Sequence, residues 1–431
     1  MRVLLTGATG FIGSAVRARL VADGHDVIAV TRRAGSAISQ PATQWIVLDM
    51  SEATTPEAWE TCLVGVDAAV NCAGVLQDGP GDSTSGVHVT GATALFTALE
   101  QAGIRRVVHI SALGVDRAAV TAFSASKLAG DSALKARNLE WVILRPSVVV
   151  SPGAAYGGSA LLRGLAALPF LPDVAQAGRL QLLQLQDLVE TVAFFLQPKA
   201  PTRLTLEVCG HEPLTLTGVL STLRRWLGLK SAFALPIPSW LVRTISFLGD
   251  FVGLLGWRSP VRTTALRELA QGSTGDPGPW ISITGIKPKS LAQALAESPA
   301  SVQERWFAQL YFVKPLVFVV LSFFWLLTGL ITLGPAWDAG QLLLRGAGVA
   351  DAKAPLLTAA GASADILVGL GIAFRATSKS ALRASLVLSA MYLVAGTALT
   401  PALWADPLGP FLKIIPIMVL SLAALAIADG R

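Results

Sequence analysis

The sequence predicts a doubly wound, parallel-sheet α/β domain followed by an all-α bundle of four membrane-spanning helices. Three observations carry this expectation. A glycine-rich turn sits between an apolar run and a helical pattern at the N-terminus, and short apolar runs alternate with helical stretches through the first half. Charge then disappears: 50 charged residues fall in the first 315 positions, but only 10 in the 113 from 316 to 428. Over all 431 residues, 52% are apolar and 14% charged, against about a quarter charged in ordinary globular chains. The excess apolarity is therefore local.

Residues 3–6 read as a buried strand, and Gly7-Ala8-Thr9-Gly10-Phe11-Ile12-Gly13 follows at once. Ile12, Val16 and Leu20 then share one helical face until Asp23-Gly24 ends the helix, and 27–30 form a second strand. Glycines in that context let the backbone turn tightly and approach a pyrophosphate, while the helix N-terminus supplies N–H donors. The second strand runs into Thr31-Arg32-Arg33, with no acid until Asp49. An acid there would take a ribose 2′-hydroxyl and arginine a 2′-phosphate, so NADP(H) is favoured over NAD(H). Further strands are expected at 45–48, 68–71, 106–111 and 141–144. Asp49 and Asn71-Cys72-Ala73-Gly74 fall at C-terminal strand ends, where ligands bind in such sheets.

The first 300 residues resemble the extended or atypical short-chain dehydrogenase/reductases. The resemblance rests on Thr6 to Gly13, Asn71-x-Ala73-Gly74, Ser111 after its strand, Lys127, and Arg145-Pro146-Ser147. Within that family the chain is most similar to the atypical group containing the NADPH-binding accessory subunit of respiratory complex I. The resemblance implies that Ser111 polarises a substrate carbonyl and that Lys127 binds the nicotinamide ribose. It also implies that Pro146 and Ser147 lie by the nicotinamide. The expected cofactor-binding set is Gly7, Thr9, Gly10, Phe11, Ile12, Gly13, Arg32, Arg33, Asp49, Asn71, Ala73, Gly74, Ser111, Lys127, Pro146 and Ser147.

The departure from the family pattern is as informative as the match. The family's proton donor is a tyrosine four residues before the lysine, and here the segment reads Phe123-Ser124-Ala125-Ser126-Lys127. A positioned acid or base contributes about 10²–10⁴-fold in rate. The only tyrosines are Tyr156, Tyr311 and Tyr392, and none has a lysine four residues on. Tyr156, in a glycine-rich loop beyond Arg145-Pro146-Ser147, is one substitute, with a loop aromatic as the alternative. His88, where the family often carries an asparagine, is another. His109 shares a strand face with Ser111 and reads as a packed strand histidine.

Beyond a domain expected at 1–230, residues 231–300 read as a substrate-cleft or interfacial segment and linker. Pro238 and Ser239 suit a helix start, and Trp240, Ile245, Phe247, Leu248 and Phe251 are large and apolar, but Arg243 and Asp250 keep the stretch from spanning. A lid over the cleft and a helix lying in the lipid interface remain open as readings. Trp306, Phe307 and Tyr311 suit an interfacial aromatic belt.

Four runs, 315–337, 354–374, 384–405 and 407–428, carry no charge apart from Asp365 and Lys413. Each is long enough, at about 1.5 Å per residue, to cross a hydrocarbon core of roughly 30 Å. The middle turn carries Arg375, Lys379 and Arg383 without an acid, so the positive-inside rule makes it cytoplasmic, together with the N-terminal domain and the C-terminus. Met1-Arg2 followed by a short apolar run is no signal peptide, and the expected location is the inner membrane. Over roughly 310–428 the chain resembles the DoxX-like membrane family, through Phe324-Trp325…Gly329 and Ala364-Asp365…Gly369. Asp365, near mid-span, is expected to face the bundle interior and pair.

Three scattered cysteines make neither a disulfide framework nor a metal pattern. The net charge of +6 includes no block of like charges, which gives nucleic acid no footprint. Two functions follow. One is a membrane-anchored, NADP(H)-dependent reductase acting on a lipophilic carbonyl, quinone or isoprenoid compound. The other is a catalytically silent NADP(H)-binding module for assembly or redox sensing of a membrane complex, whose further partner is that complex. An epimerase or dehydratase holding NAD(H) is disfavoured by Arg32-Arg33 and the missing tyrosine.

Overall fold

A computed structural model describes residues 1–32, 42–117 and 121–428. The chain divides into two compact units, one of Met1–Phe251 with Ser259–Ala308, the other of Val252–Arg258 with Gln309–Arg431. Most of the segment expected to be a separate cleft piece and linker thus folds with the first unit.

The first unit is built on seven strands: β1 (Arg2–Thr6), β2 (Asp26–Thr31), β3 (Thr43–Val47), β4 (Ala68–Asn71), β5 (Arg106–Ile110), β6 (Glu140–Pro146) and Leu204–Val208. The order is β3-β2-β1-β4-β5-β6 with Leu204–Val208 outermost, and every pairing is parallel. Buried on both faces, β1, β4 and β5 are near-continuous apolar runs, as a sheet covered by helices demands. The chain reverses its winding between β1 and β4, which opens a crevice at their C-terminal ends. Helices α1 (Phe11–Ala22), α2 (Gly91–Gln101) and α3 (Ala122–Lys135) join successive strands. One core, with Val3, Leu5, Val16, Leu20 and Phe195, fills one side of the sheet. The other side holds Leu4, Trp59, Phe96 and Leu99.

Smaller strands were not legible as such. Val148–Val150, Leu180–Gln184 and Pro213–Leu214 make one small sheet, and Leu171–Asp173 pairs with Ala234–Pro236. They are two to five residues long.

The second unit holds four helices apolar and long enough to cross a membrane: Val313–Leu333, Ala354–Ala373, Ser378–Leu399 and Pro410–Ile427. The turn after the first of them contains a helix of its own, Trp337–Gly346. The first and second spans approach closely at small residues. A Cβ on Gly329 would lie 2.4 Å from Ala362 O, and one on Gly369 would lie 2.7 Å from Leu326 N. Asp365 is buried and accepts a 2.8 Å hydrogen bond from Tyr392 Oη on the third span.

Candidate cofactor site and the buried polar cluster beneath it

The glycine turn after β1 is sterically committed. Gly7 has φ +66°, and a Cβ there would meet Cys72 O at 2.7 Å and Ala73 N at 2.8 Å. A Cβ on Gly13 would stand 2.1 Å from Gly7 O. The loops after β1 and β4 therefore touch backbone to backbone. Gly10 caps α1 with no side-chain hydrogen bond, so the first-turn N–H groups stay open to an anion. Thr9, Phe11 and Ile12 line this turn half-buried.

Asn71 ties the two loops together. Its Oδ1 accepts from Thr6 Oγ1 at 2.6 Å and from Ala73 N at 3.1 Å. Its Nδ2 therefore donates to His109 Nδ1 at 3.1 Å, which leaves the His109 proton on Nε2, 3.5 Å from Asp131 Oδ1.

A capping box of Thr121 and Ser124 starts α3, and the helix turns Ser126, Lys127 and Asp131 inward. Lys127 Nζ donates to Ile110 O at 2.9 Å and Ala73 O at 3.4 Å, and it lies against Gly74. Burial pushes its pKa down from 10.5 to about 8, against the pull of Asp131. Phe123 is half-buried and meets His88 edge-on at 5.8 Å.

His88 is no proton donor. Its Nε2 accepts from Val75 N at 3.0 Å, so Nδ1 donates to Ser126 Oγ at 2.8 Å, and Ser126 Oγ donates to Phe123 O. Burial first, then Lys127 and His109, push its pKa down to about 2. It is a neutral brace between the loop after β4 and α3. His109 is buried, packs edge-on against Phe96 at 5.5 Å, and is likewise held neutral by burial.

Arg145 is spent inside the domain rather than on a ligand. Its Nε and Nη2 donate to Asp131 Oδ2 at 3.1 and 3.0 Å, and Nη1 donates to Asp116 Oδ2 at 2.6 Å. Burial would raise the Asp131 carboxyl, but His109, Ser111 and Arg145 together hold it below the ordinary range. Ser111 Oγ lies close enough to Asp131 to act on its carboxyl but, enclosed, completes no hydrogen bond of good geometry, and Ser147 Oγ, further along the strand ends, has no partner among the described residues. Pro146 closes β6, with its carbonyl accepting from Leu113 N.

Other expected residues lie apart from this cluster. Arg32 donates to Asp82 Oδ1 at 2.8 Å and to Gly81 O at 3.0 Å, so part of its charge is already matched. Arg33 lies outside the described residues. Asp49 accepts from Ser51 N and Ser51 Oγ and shapes the turn after β3. Tyr156 is exposed, and its side chain makes no hydrogen bond among the described residues; only its backbone engages Ser159. The structure does not bring it to Ser111 or Lys127 by any hydrogen bond. Asp131, Asp116 and Ser126 were missed. Asp131 had a signal, an acid one helical turn beyond Lys127 on the same face; Asp116, from a loop, had none.

Comparison with known proteins agrees with this geometry. Residues 7–162 match the model of an NAD(P)H-binding family, and 322–422 match that of the DoxX-like family. Ceramide reductase of Caulobacter vibrioides is 26% identical over 233 residues, covering 53% of this chain and 71% of the relative. A putative dihydroflavonol 4-reductase of Synechocystis is 25% identical over 338 residues, 72% of this chain and 95% of the relative. Among solved structures, the Bordetella bronchiseptica enzyme WbmG in complex with NAD superposes with a TM-score of 0.55 at 17% identity, covering 72% of this chain and 96% of that one. That likeness shows the fold. A similarity to the complex I subunit is not shown by these matches. The chain thus has a Rossmann-like α/β domain that resembles NAD(P)H-binding proteins over residues 7–162, followed by a helical region that resembles the DoxX-like family over residues 322–422.

Proposed function

We propose that this membrane protein, an NAD(P)H-binding reductase/epimerase-like domain joined to a DoxX-like bundle, reduces the carbonyl of a lipophilic compound with NADPH. The observation that carries the reading is Ser111: a hydroxyl at the C-terminal end of β5, enclosed beside Asp131, which completes no hydrogen bond of good geometry. A buried donor left unmatched is costly unless something else takes its bond, and a substrate carbonyl oxygen is such a partner.

The residues fit a dinucleotide. Gly7 and Gly13 leave no room for side chains, Gly10 little, and a pyrophosphate would lie against the first turn of α1 beside them. Lys127, pinned by two carbonyls beside Gly74, would hold the ribose. Bound NADPH supplies the hydride. Ser111 donates to the carbonyl oxygen, and the balancing proton comes from Lys127 through a water in the space that a tyrosine hydroxyl would fill at Phe123. Tyr156, exposed and unbonded, is the alternative donor. No acid ends β2, and Arg32 stands there, which supports NADP(H) over NAD(H). A lipophilic substrate is supported by the anchoring helices and by the name of the ceramide reductase relative. The charges at Arg375, Lys379 and Arg383 support an inner-membrane protein with its Rossmann domain in the cytoplasm.

The test is NADPH oxidation by the full chain in nanodiscs with a long-chain ketone. Ser111→Ala is expected to cut the rate about 10²-fold, as loss of a carbonyl-oxygen donor does. Phe123→Tyr is expected to raise it about 10²-fold or more by restoring the acid. The catalytically silent module remains the second reading, favoured by Phe123 itself. NADPH binding without oxidation in either the parent or the Phe123→Tyr protein would establish it instead.

A further inference from the structure

The helix Ser239–Leu254 has two faces that want different surroundings. Its inward face is fastened to the Rossmann unit. Ser246 is 1% exposed, and Gly249 packs so closely that a Cβ would collide with Val261 O. Asp250 Oδ1 accepts from Gln77 Nε2 at 2.9 Å, Arg262 Nε at 3.2 Å and Thr263 N at 3.4 Å. Gln77 lies three residues beyond Gly74, and Arg262 also donates to Asp78 O. The helix is thus clamped to the loop that leaves the cofactor site.

The outward face is a stripe of large apolar groups at helical spacing: Trp240, Phe247, Leu248 and Phe251, between 54% and 68% exposed. Arg243 is its one charged residue, with no acid on that side. Phe233 and Leu235, just upstream, are exposed as well. Contiguous apolar surface of this kind marks an interaction site.

We propose that this helix lies in the lipid interface, its outward face in the headgroup and acyl boundary, as a membrane contact additional to the four spans. Continuity of the chain argues for lipid as the occupant. The next residues, Val252–Arg258, pack with the spanning helices: Trp257 Nε1 donates to Ala373 O at 2.7 Å, and Arg375 N donates to Leu255 O at 3.0 Å. Those partners sit where the second span ends, so the chain passes from the helix directly to the edge of the apolar layer. A bulky aromatic stripe, one snorkelling cation and a polar far face are what an interfacial helix requires. The lid and the interfacial helix are then one element. Its polar side holds the loop after β4, and its apolar side meets the bilayer. The lipid contact does not depend on the proposed reduction; only its use for substrate entry rests on that reading.

The experiment uses the full chain in nanodiscs of phosphatidylcholine and phosphatidylglycerol, spin-labelled at Phe247→Cys or Trp240→Cys. The wild-type protein measures background from Cys62, Cys72 and Cys209. Collision with oxygen is expected to exceed collision with a water-soluble nickel chelate several-fold at both positions. The order should invert at Glu52→Cys and Lys135→Cys, which are exposed and polar. Nickel access at 247 and 240 equal to that at 52 would put the face in water and overturn the proposal. Shielding from both reagents would overturn it too, by showing that protein covers the face, whether the spanning unit or a second copy. NADPH oxidation plays no part in this readout, so failure of the proposed activity and failure of the lipid contact are separately visible.

Discussion

The two units bury charge in opposite ways. In the Rossmann unit, Lys127, Asp131 and Arg145 are buried within one cluster, joined by His88, His109, Asn71 and Ser126, and most of their polar atoms have partners. In the helical unit, Asp365 is a single buried carboxylate met by a phenol and by no cation among the described residues. The difference follows from what each environment offers. Strand ends and loops in the α/β fold leave carbonyls and N–H groups free, as Ile110 O and Ala73 O are for Lys127, so an ammonium can be lodged without a carboxylate directly on it. Spanning helices use up their backbone groups internally. A hydroxyl there can still donate to a carbonyl, as Ser322 Oγ does to Gly369 O at 2.8 Å, but a carboxyl oxygen depends on a side-chain donor, and Asp365 finds the Tyr392 hydroxyl. A network of this density positions a reacting group; an isolated pair fixes two helices against each other.

Breaking the network should cost most. Asp131→Ala leaves Arg145 with Asp116 alone and removes the carboxylate beside His109, and loss of one member of a buried ion pair typically costs about 3–5 kcal/mol. Faster thiol labelling of Cys62 and Cys209, both buried in this unit, reads the loss as urea is added. An unchanged labelling rate would show that Asp131 is dispensable and that the contrast between the units is overstated.

A titration sharpens the comparison at lower energy. Lys127 holds its proton up to about pH 8, whereas the ordinary lysine value is 10.5. Above about 8 the ammonium is lost, and the proposed reduction should slow tenfold per pH unit, equivalent to about 1.4 kcal/mol. Stability moves the other way: between about 8 and 10.5 the unfolded chain binds more protons than the folded one, so the urea midpoint of the domain should rise with pH. A rate that stays flat to pH 10 would remove Lys127 from proton transfer.

The smallest effect is expected in the bilayer. Tyr392→Phe deletes the one hydrogen bond to Asp365, and such interhelical bonds average about 0.6 kcal/mol in membranes. The shift is to be read in detergent-titrated unfolding. A loss comparable to that of Asp131→Ala would make the pair as central to its unit as the cluster is to the other.

Legibility in the sequence tracked the range over which each interaction acts. Strands 68–71 and 27–30 were readable because a buried parallel strand needs only a local apolar run. The spans were readable because length and charge depletion are local too. Lys127 and Ser111 were singled out through a family resemblance, and the structure surrounds both with groups that the resemblance did not announce. Asp116 reaches Arg145 across 29 residues and Asp82 reaches Arg32 across 50, distances over which no pattern in the chain constrains a pairing.

By itself, then, the amino-acid order determined where the backbone must turn without side chains, where β1 to β6 of the large sheet lie, and which four stretches suit hydrocarbon. Each of these depends on steric and solvation preferences of neighbouring residues. Only the tertiary structure decided that His88 is a neutral brace, that Arg145 serves Asp131 and Asp116, and that the helix from Ser239 turns Asp250 inward and Phe247 out. The protonation, pairing and exposure of a side chain depend on which distant groups the fold brings within a few ångströms, and burial sets how strongly each of those contacts acts.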